Sequence, residues 1–298
     1  MVPVVVRRSD PGSRVPTAPT RETTGFTATA ATCFAVVVLA AGFSAGDHVL
    51  AALAGVAAGA VNAIAGGGTL ISFPTLVALG APNVRANVTN TVALCPGYFG
   101  GAVAQRSIVA TERARLRPLC LAGGLGGLAG SILLVASGEA VFERLVPWLI
   151  LLSCALLAAQ QPLRTLLQRS SRQLHEGPPG RAASPAAILS IFAASIYGGY
   201  FGAGFGIMTL AVLGLLYDDE LPRLNAIKQV LSLAVNVIAA AFFIGDGKVL
   251  WSLALVMGPA SLLGGMAGGR LVGIIRPTVL RVVVVAYGSV LAVYYLLR

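Results

Sequence analysis

The sequence predicts an all-α polytopic membrane protein made of two inverted repeats, each with a glycine-broken, fold-back helix unit plus three transmembrane helices, and one extra N-terminal helix. Three observations carry this reading. The first is composition: of 298 residues, 56% are hydrophobic and 11% charged, with a mean hydropathy of +0.84, whereas a soluble domain carries about a quarter charged residues. The second is a pair of apolar runs interrupted by glycine, GAVNAIAGGGTLISFPTL from Gly59 and YGGYFGAGFGIMTLAVLG from Tyr197. The third is a constant offset of 138 that pairs Gly66 with Gly204, Gly68 with Gly206, Arg85 with Arg223 and Asn87 with Asn225.

Residues 1–25 place Arg7, Arg8, Arg14 and Arg21 among Pro, Ser and Thr, and read as a disordered basic tail. The run over 26–46 is long enough to cross a bilayer, which takes about 20 residues, and forms the extra helix; Asp47 and His48 then read as a tight turn. The first repeat spans 49–161, a basic loop 162–185, and the second repeat 186–298. Within the repeats, the apolar segments 69–80 and 206–216 are too short to span alone. Each either completes the helix before it or folds back as the second arm of a hairpin.

Charge parity favours folding back. Arginines cluster in the tail, in 105–117, in 162–185 and in 269–281. If each broken unit crossed once, these clusters would fall on both faces, against the positive-inside rule. Folding back puts all four on one side and leaves Glu139 and Glu143 on the other. The same placement explains the formal net charge of +10 as loops beside an anionic leaflet, and sets nucleic acid aside as a partner.

Polar residues are scarce in the apolar segments, so those present are the candidate site. In the first half they are Asn62, the glycines Gly66, Gly67 and Gly68, Thr69 at the start of the next helix, and Asn87, Thr89 and Asn90. In the second they are Gly204, Gly206, Asn225, Lys228, Gln229 and Asn236. Asn87 and Asn90 share a helix face, as do Asn225 and Asn236. Lys228 stands where the first half has Asn90, so one half offers an amide and the other a cation. Three glycines in a row break a helix, and in lipid broken backbone is tolerated only where protein or a polar cavity satisfies it. The glycines at 123–130 and 264–269 fit close helix packing instead.

Cys33, Cys95, Cys120 and Cys154 lie in apolar runs without CxxC spacing, and His48 and His175 are far apart, so neither a metal site nor a cofactor is expected. No HExxH occurs. Asp218 and Asp246 are the nearest approach to paired intramembrane aspartates, and both sit at helix ends, so an enzyme is not the expected class.

The run NVTNTVALCPGYFGGA from Asn87, the cluster Gly66–Gly68 followed by Pro74 and Gly80, GGYFGAGFG from Gly198 and RLNAIKQVLSLAVNVIAA from Arg223 resemble the TauE/SafE family of sulfite exporters over residues 49–298. Phe205 departs from the fuller glycine cluster often seen there. The resemblance implies a multi-pass permease of the bacterial cytoplasmic (inner) membrane, moving sulfite, organosulfonates or related small anions by alternating access. An oxyanion inside a membrane needs donors in place of water. Helix N-termini near Thr69 and Ile207 would supply them twice, with their positive dipole ends. The expected partners are a small anionic solute and the lipid bilayer, with a proton as candidate coupling ion and a homo-oligomer as candidate assembly. A passive anion channel is the first alternative; an intramembrane enzyme and a non-transporting scaffold follow.

Overall fold

A computed structural model describes residues 42–174, 183–217, 219–271 and 277–297. The tail, nearly all of the expected extra helix, and Asp218 lie outside them. The described chain is helical: α1 (Ala45–Ile64), α2 (Thr69–Ala78), α3 (Asn83–Ala104), the short α4 (Arg106–Thr111), α5 (Arg113–Leu174), α6 (Pro185–Tyr200), α7 (Phe205–Leu216), α8 (Leu221–Asp246), α9 (Trp251–Leu271) and α10 (Pro277–Leu297).

Two boundaries differ from the sequence reading. Asp47 and His48 do not form a turn but belong to the first turn of α1. Ser44 Oγ accepts from Asp47 N–H at 3.2 Å and the Asp47 carboxylate accepts from Ser44 N–H at 2.7 Å. This reciprocal capping satisfies donors that a helix start otherwise leaves open. In addition, the stretch read as a loop from residue 162 stays helical to Leu174. α5 is interrupted instead at Gly138, whose φ of 72° and ψ of 178° divide it into two arms.

Helix directions follow from close contacts between small residues. Gly55 lies against Met257, Gly59 against Ser261 and Gly268 against Ala60, so α1 and α9 run the same way. Gly97 lies against Ser261 and Gly269 against Gly101, so α3 also runs with α9. α2, between α1 and α3, therefore travels in the opposite sense, and its Ser72 donates to Asn90 of α3. The second half shows the same contacts: Gly126 lies against Phe192 and Gly130 against Ile196, so α6 follows the first arm of α5, and α8 follows it too, since Arg223 meets Glu112 while Val235 lies against Gly127. A Cβ at Gly130 would stand 2.0 Å from the Ile196 carbonyl oxygen, which shows how closely these backbones approach. α3 and α8 are antiparallel, since Gln229 meets Tyr98 while the Leu250 N–H, beyond the end of α8, meets Thr89. The starts of α3, α5, the second arm of α5 and α2's last residue each lie 138 residues before the matching points of α8, α9, α10 and α7.

The outside of the bundle is apolar and its inside carries the polar groups. Leu53, Leu121, Leu133, Trp148, Leu189, Leu263 and Val290 are exposed, whereas Asn62, Ser72, Asn87, Asn90, Asn225, Lys228 and Gln229 are buried. Such a surface suits lipid as solvent. Among the described residues, four helical stretches are long and apolar enough to cross a membrane: Ala45–Ile64, Arg113–Ala159, Leu221–Asp246 and Trp251–Leu271.

The two ends of the bundle differ in charge. At one, Arg106, Arg113, Arg117 and Arg270 are exposed, and a charge network lies there with Glu112 and Arg115 buried. There Glu112 bonds Arg115 at 3.4 Å and Arg223 at 3.1 Å, and Asp219 bonds Arg223 at 3.2 Å and also Arg115. The Arg115 guanidinium stacks over the Tyr217 ring at 4.2 Å. At the other end Glu139 accepts from the Val84 N–H at 3.1 and 3.2 Å, holding the start of α3. The network ties the start of α5 to the link between α7 and α8. Asp219→Asn is expected to lower stability by about 3 kcal/mol, because it weakens a buried charge cluster from one side. The thermal midpoint in detergent measures this, and Arg117→Gln, at an exposed position, should leave it unmoved.

Candidate functional site at the paired glycine interruptions

α1 stops at Ile64 and α2 begins at Thr69, with Gly66 between them at φ 88°. In the second half α6 stops at Tyr200 and α7 begins at Phe205 after Gly204 at φ 76°. Only glycine takes these left-handed conformations without strain. The two interruptions touch: a Cβ on Gly66 would lie 3.1 Å from the Gly206 Cα. This contact brings the first turn of α7 against the end of α1.

The side chains beside them serve the exposed helix ends. Lys228 Nζ donates to the Asn62 carbonyl at 2.9 Å, and Asn225 Nδ2 donates to the Ala63 carbonyl and to Gln105 Oε1, each at 3.2 Å. The last carbonyls of a helix carry about half a negative charge, so an ammonium and an amide are suited to them. Across the bundle, Asn87 Nδ2 donates to the Tyr200 carbonyl at 2.9 Å, at the end of α6. Asn87 and Asn225, one repeat offset apart, thus do the same work on the opposite half. Asn62 Oδ1 accepts from the Gly68 N–H at 2.7 Å, so that donor is already occupied. Ala203, in the second interruption, has its carbonyl held by Tyr197 Oη at 2.7 Å and Ser153 Oγ at 2.9 Å.

Asn62, Gly66, Gly68, Gly206, Asn225 and Lys228 come together here, with Thr69 starting α2 and Gln229 beside Lys228 donating to the Tyr98 carbonyl at 3.3 Å. Other candidates lie apart. Gly67 packs against Leu157 and Gly204 against Ser153. Thr89 accepts from the Leu250 N–H at 2.9 Å, towards the Glu139 end. Asn90 takes the hydroxyl of Ser72, and Asn236 donates to the Ser232 carbonyl of its own helix at 2.8 Å. Ser72, Gln105 and Ser153 were not among the sequence candidates for the site. Ser72 is one turn beyond Gly68, and Gln105 is the amide that ends α3, so position relative to the interruptions was the available signal.

Lys228 is 1% exposed, and none of the ion pairs among the described residues includes it. A buried ammonium without a carboxylate, flanked by amides and glycine-opened backbone, can hold an anion.

Comparison with known proteins places the chain among membrane transporters. The family model described as "Sulfite exporter TauE/SafE" matches residues 51–295. A "Probable membrane transporter protein" of Haemophilus influenzae is 32% identical over 238 residues, covering 78% of this chain and 87% of that protein. "Probable membrane transporter protein ORF9" of a Sinorhizobium species is 29% identical over 236 residues, covering 75% and 83%. "Probable membrane transporter protein YfcA" of Escherichia coli K12 is 27% identical over 217 residues, covering 72% and 77%. No solved structure matches the chain. With its apolar surface, its buried polar helices and a family match over most of its length, the chain is a membrane transporter belonging to the TauE/SafE sulfite exporter family.

Proposed function

We propose that the protein is a permease for small anions, namely sulfite, organosulfonates or related sulfur-containing anions, and that it works by alternating access around the two glycine-broken units. Lys228 carries this reading: a buried cation with no carboxylate partner among the described residues, at the contact between the two interruptions. The anionic class follows from that charge, and the sulfur chemistry from the family's description.

The reversal of α2 between the co-directional α1 and α3, and of α7 between α6 and α8, supports units that fold back. Helix boundaries repeating at one offset, with α3 and α8 antiparallel, support inverted repeats, the arrangement that places substrate between halves near the midplane. The arginine-rich end is then cytoplasmic, and the bacterial inner membrane is the location that fits it. A proton is the coupling ion we assign.

Proteoliposomes loaded with unlabelled sulfite and diluted into labelled sulfite test this. A carrier gives transient counterflow, with label accumulating above equilibrium. Equilibration without overshoot identifies a passive channel, and no flux of sulfite, alkanesulfonates or carboxylates returns the protein to the scaffold reading.

A further inference from the structure

A cavity of about 250 Å³ opens at the Glu139 end, away from the paired interruptions, with Arg85 and Lys248 in its lining. Its position relates it to the opposite end through the repeat offset, which pairs Arg85 with Arg223. Arg223 is committed: its Nε and Nη1 bond Glu112 and Asp219. Arg85 is not, for its Nε donates only to the Lys248 carbonyl at 3.3 Å and no ion pair among the described residues includes it. The difference arises in the sequence, where the counterparts of Asp219 and Glu112 are Ala81 and Leu250. One arginine closes its end of the bundle, and the other leaves the terminal nitrogens of its guanidinium to whatever fills the cavity.

The remaining lining narrows the class of occupant. Pro82, Val84 and Val135 form an apolar wall. Glu139 also lines the cavity, with both carboxylate oxygens turned to the Val84 N–H, and Lys248 Nζ is paired with Asp246. A guanidinium binds a planar or tetrahedral oxyanion through two parallel N–H donors, which an ammonium cannot do.

We infer that this cavity is a second, outer anion site, which takes a small organic anion with its sulfonate or carboxylate head on Arg85 and its short carbon chain against Val84 and Val135. It rests on the anion-permease reading for its role, as the place where such a solute waits beyond the central site. Its existence is separable from that reading. A bare inorganic anion gains nothing from the apolar wall, so the outer site prefers ethanesulfonate to sulfite.

Titration calorimetry of ethanesulfonate into the purified full chain tests it, with Lys228→Met, Arg85→Gln and Arg85→Lys variants. The expected result is that Lys228→Met keeps one binding event, which Arg85→Gln in the same chain weakens about tenfold or more. Arg85→Lys restores part of it, because charge returns without the fork. If Lys228→Met binds nothing while Arg85→Gln binds like wild type, the outer site is refuted and the central one stands. If Arg85→Gln removes all binding and Lys228→Met changes none, the outer site stands and the central one is refuted. Loss of binding in neither variant overturns both.

Discussion

Lys228→Met is expected to abolish anion flux while leaving the protein as stable as wild type, or more so. The two effects diverge because of where the ammonium lies. It is 1% exposed and donates to the Asn62 carbonyl at 2.9 Å. Burial of a charge costs several kcal/mol, and replacing it with an apolar side chain of similar volume is often neutral or stabilising. A direct contact between the ammonium and a bound anion is worth about 1.5–3 kcal/mol, which corresponds to roughly 10- to 100-fold in affinity. The thermal midpoint and the proteoliposome flux, measured on one preparation, check both halves. A Lys228→Met protein that transports like wild type would assign the lysine to the end of α1 alone. One that unfolds would make it a structural cap.

The second large effect is expected at Gly68. A Cβ there would stand 2.1 Å from the Ala58 carbonyl oxygen and 2.8 Å from Asn62 Cγ, so both α1 and the Asn62 amide must move. Overpacking costs about 1–3 kcal/mol, and displacement of Asn62 leaves the buried Gly68 N–H without its acceptor, for about 1–3 kcal/mol more. Gly68→Ala should therefore lose several degrees of thermal midpoint together with anion binding. Gly245→Ala supplies the comparison: it lies in α8 with nothing within 4 Å of the added Cβ. There alanine gains about 1 kcal/mol of helix propensity, and stability should hold or rise. Equal losses at the two positions would mean that any glycine in this bundle is intolerant, and that the interruption has no special geometry.

Much of the helix pattern was legible because periodicity and glycine act locally. The offset of 138 read from Gly66, Gly68, Arg85 and Asn87 reappears in the starts of α8, α9 and α10. The glycines at 126, 130, 264 and 268 meet backbone within 2.0–2.6 Å, as packing glycines should. Asp47 was misread because two polar residues between apolar runs look like a turn, whereas a carboxylate three residues after Ser44 completes a cap. Partners, by contrast, were not legible. Lys228 bonds a carbonyl 166 residues away, and Asn225 one 162 residues away, and no local pattern records such pairs. The charges Glu112 and Asp219 show the same limit, for only the fold gathers them around Arg115 and Arg223.

The central claim is that an anion binds at Lys228 between the two interruptions, and ligand-induced thermal stabilisation measures it most directly. Wild type and Lys228→Met would be melted with sulfite, sulfate, short sulfonates and small carboxylates, each across a concentration series. Stabilisation follows RT ln(1 + [L]/Kd), so a hundredfold excess over Kd contributes about 2.7 kcal/mol. The account predicts a graded rise in wild type with sulfite or a sulfonate, and none with sulfite in Lys228→Met. A wild-type response to sulfite that persists undiminished in Lys228→Met would contradict it.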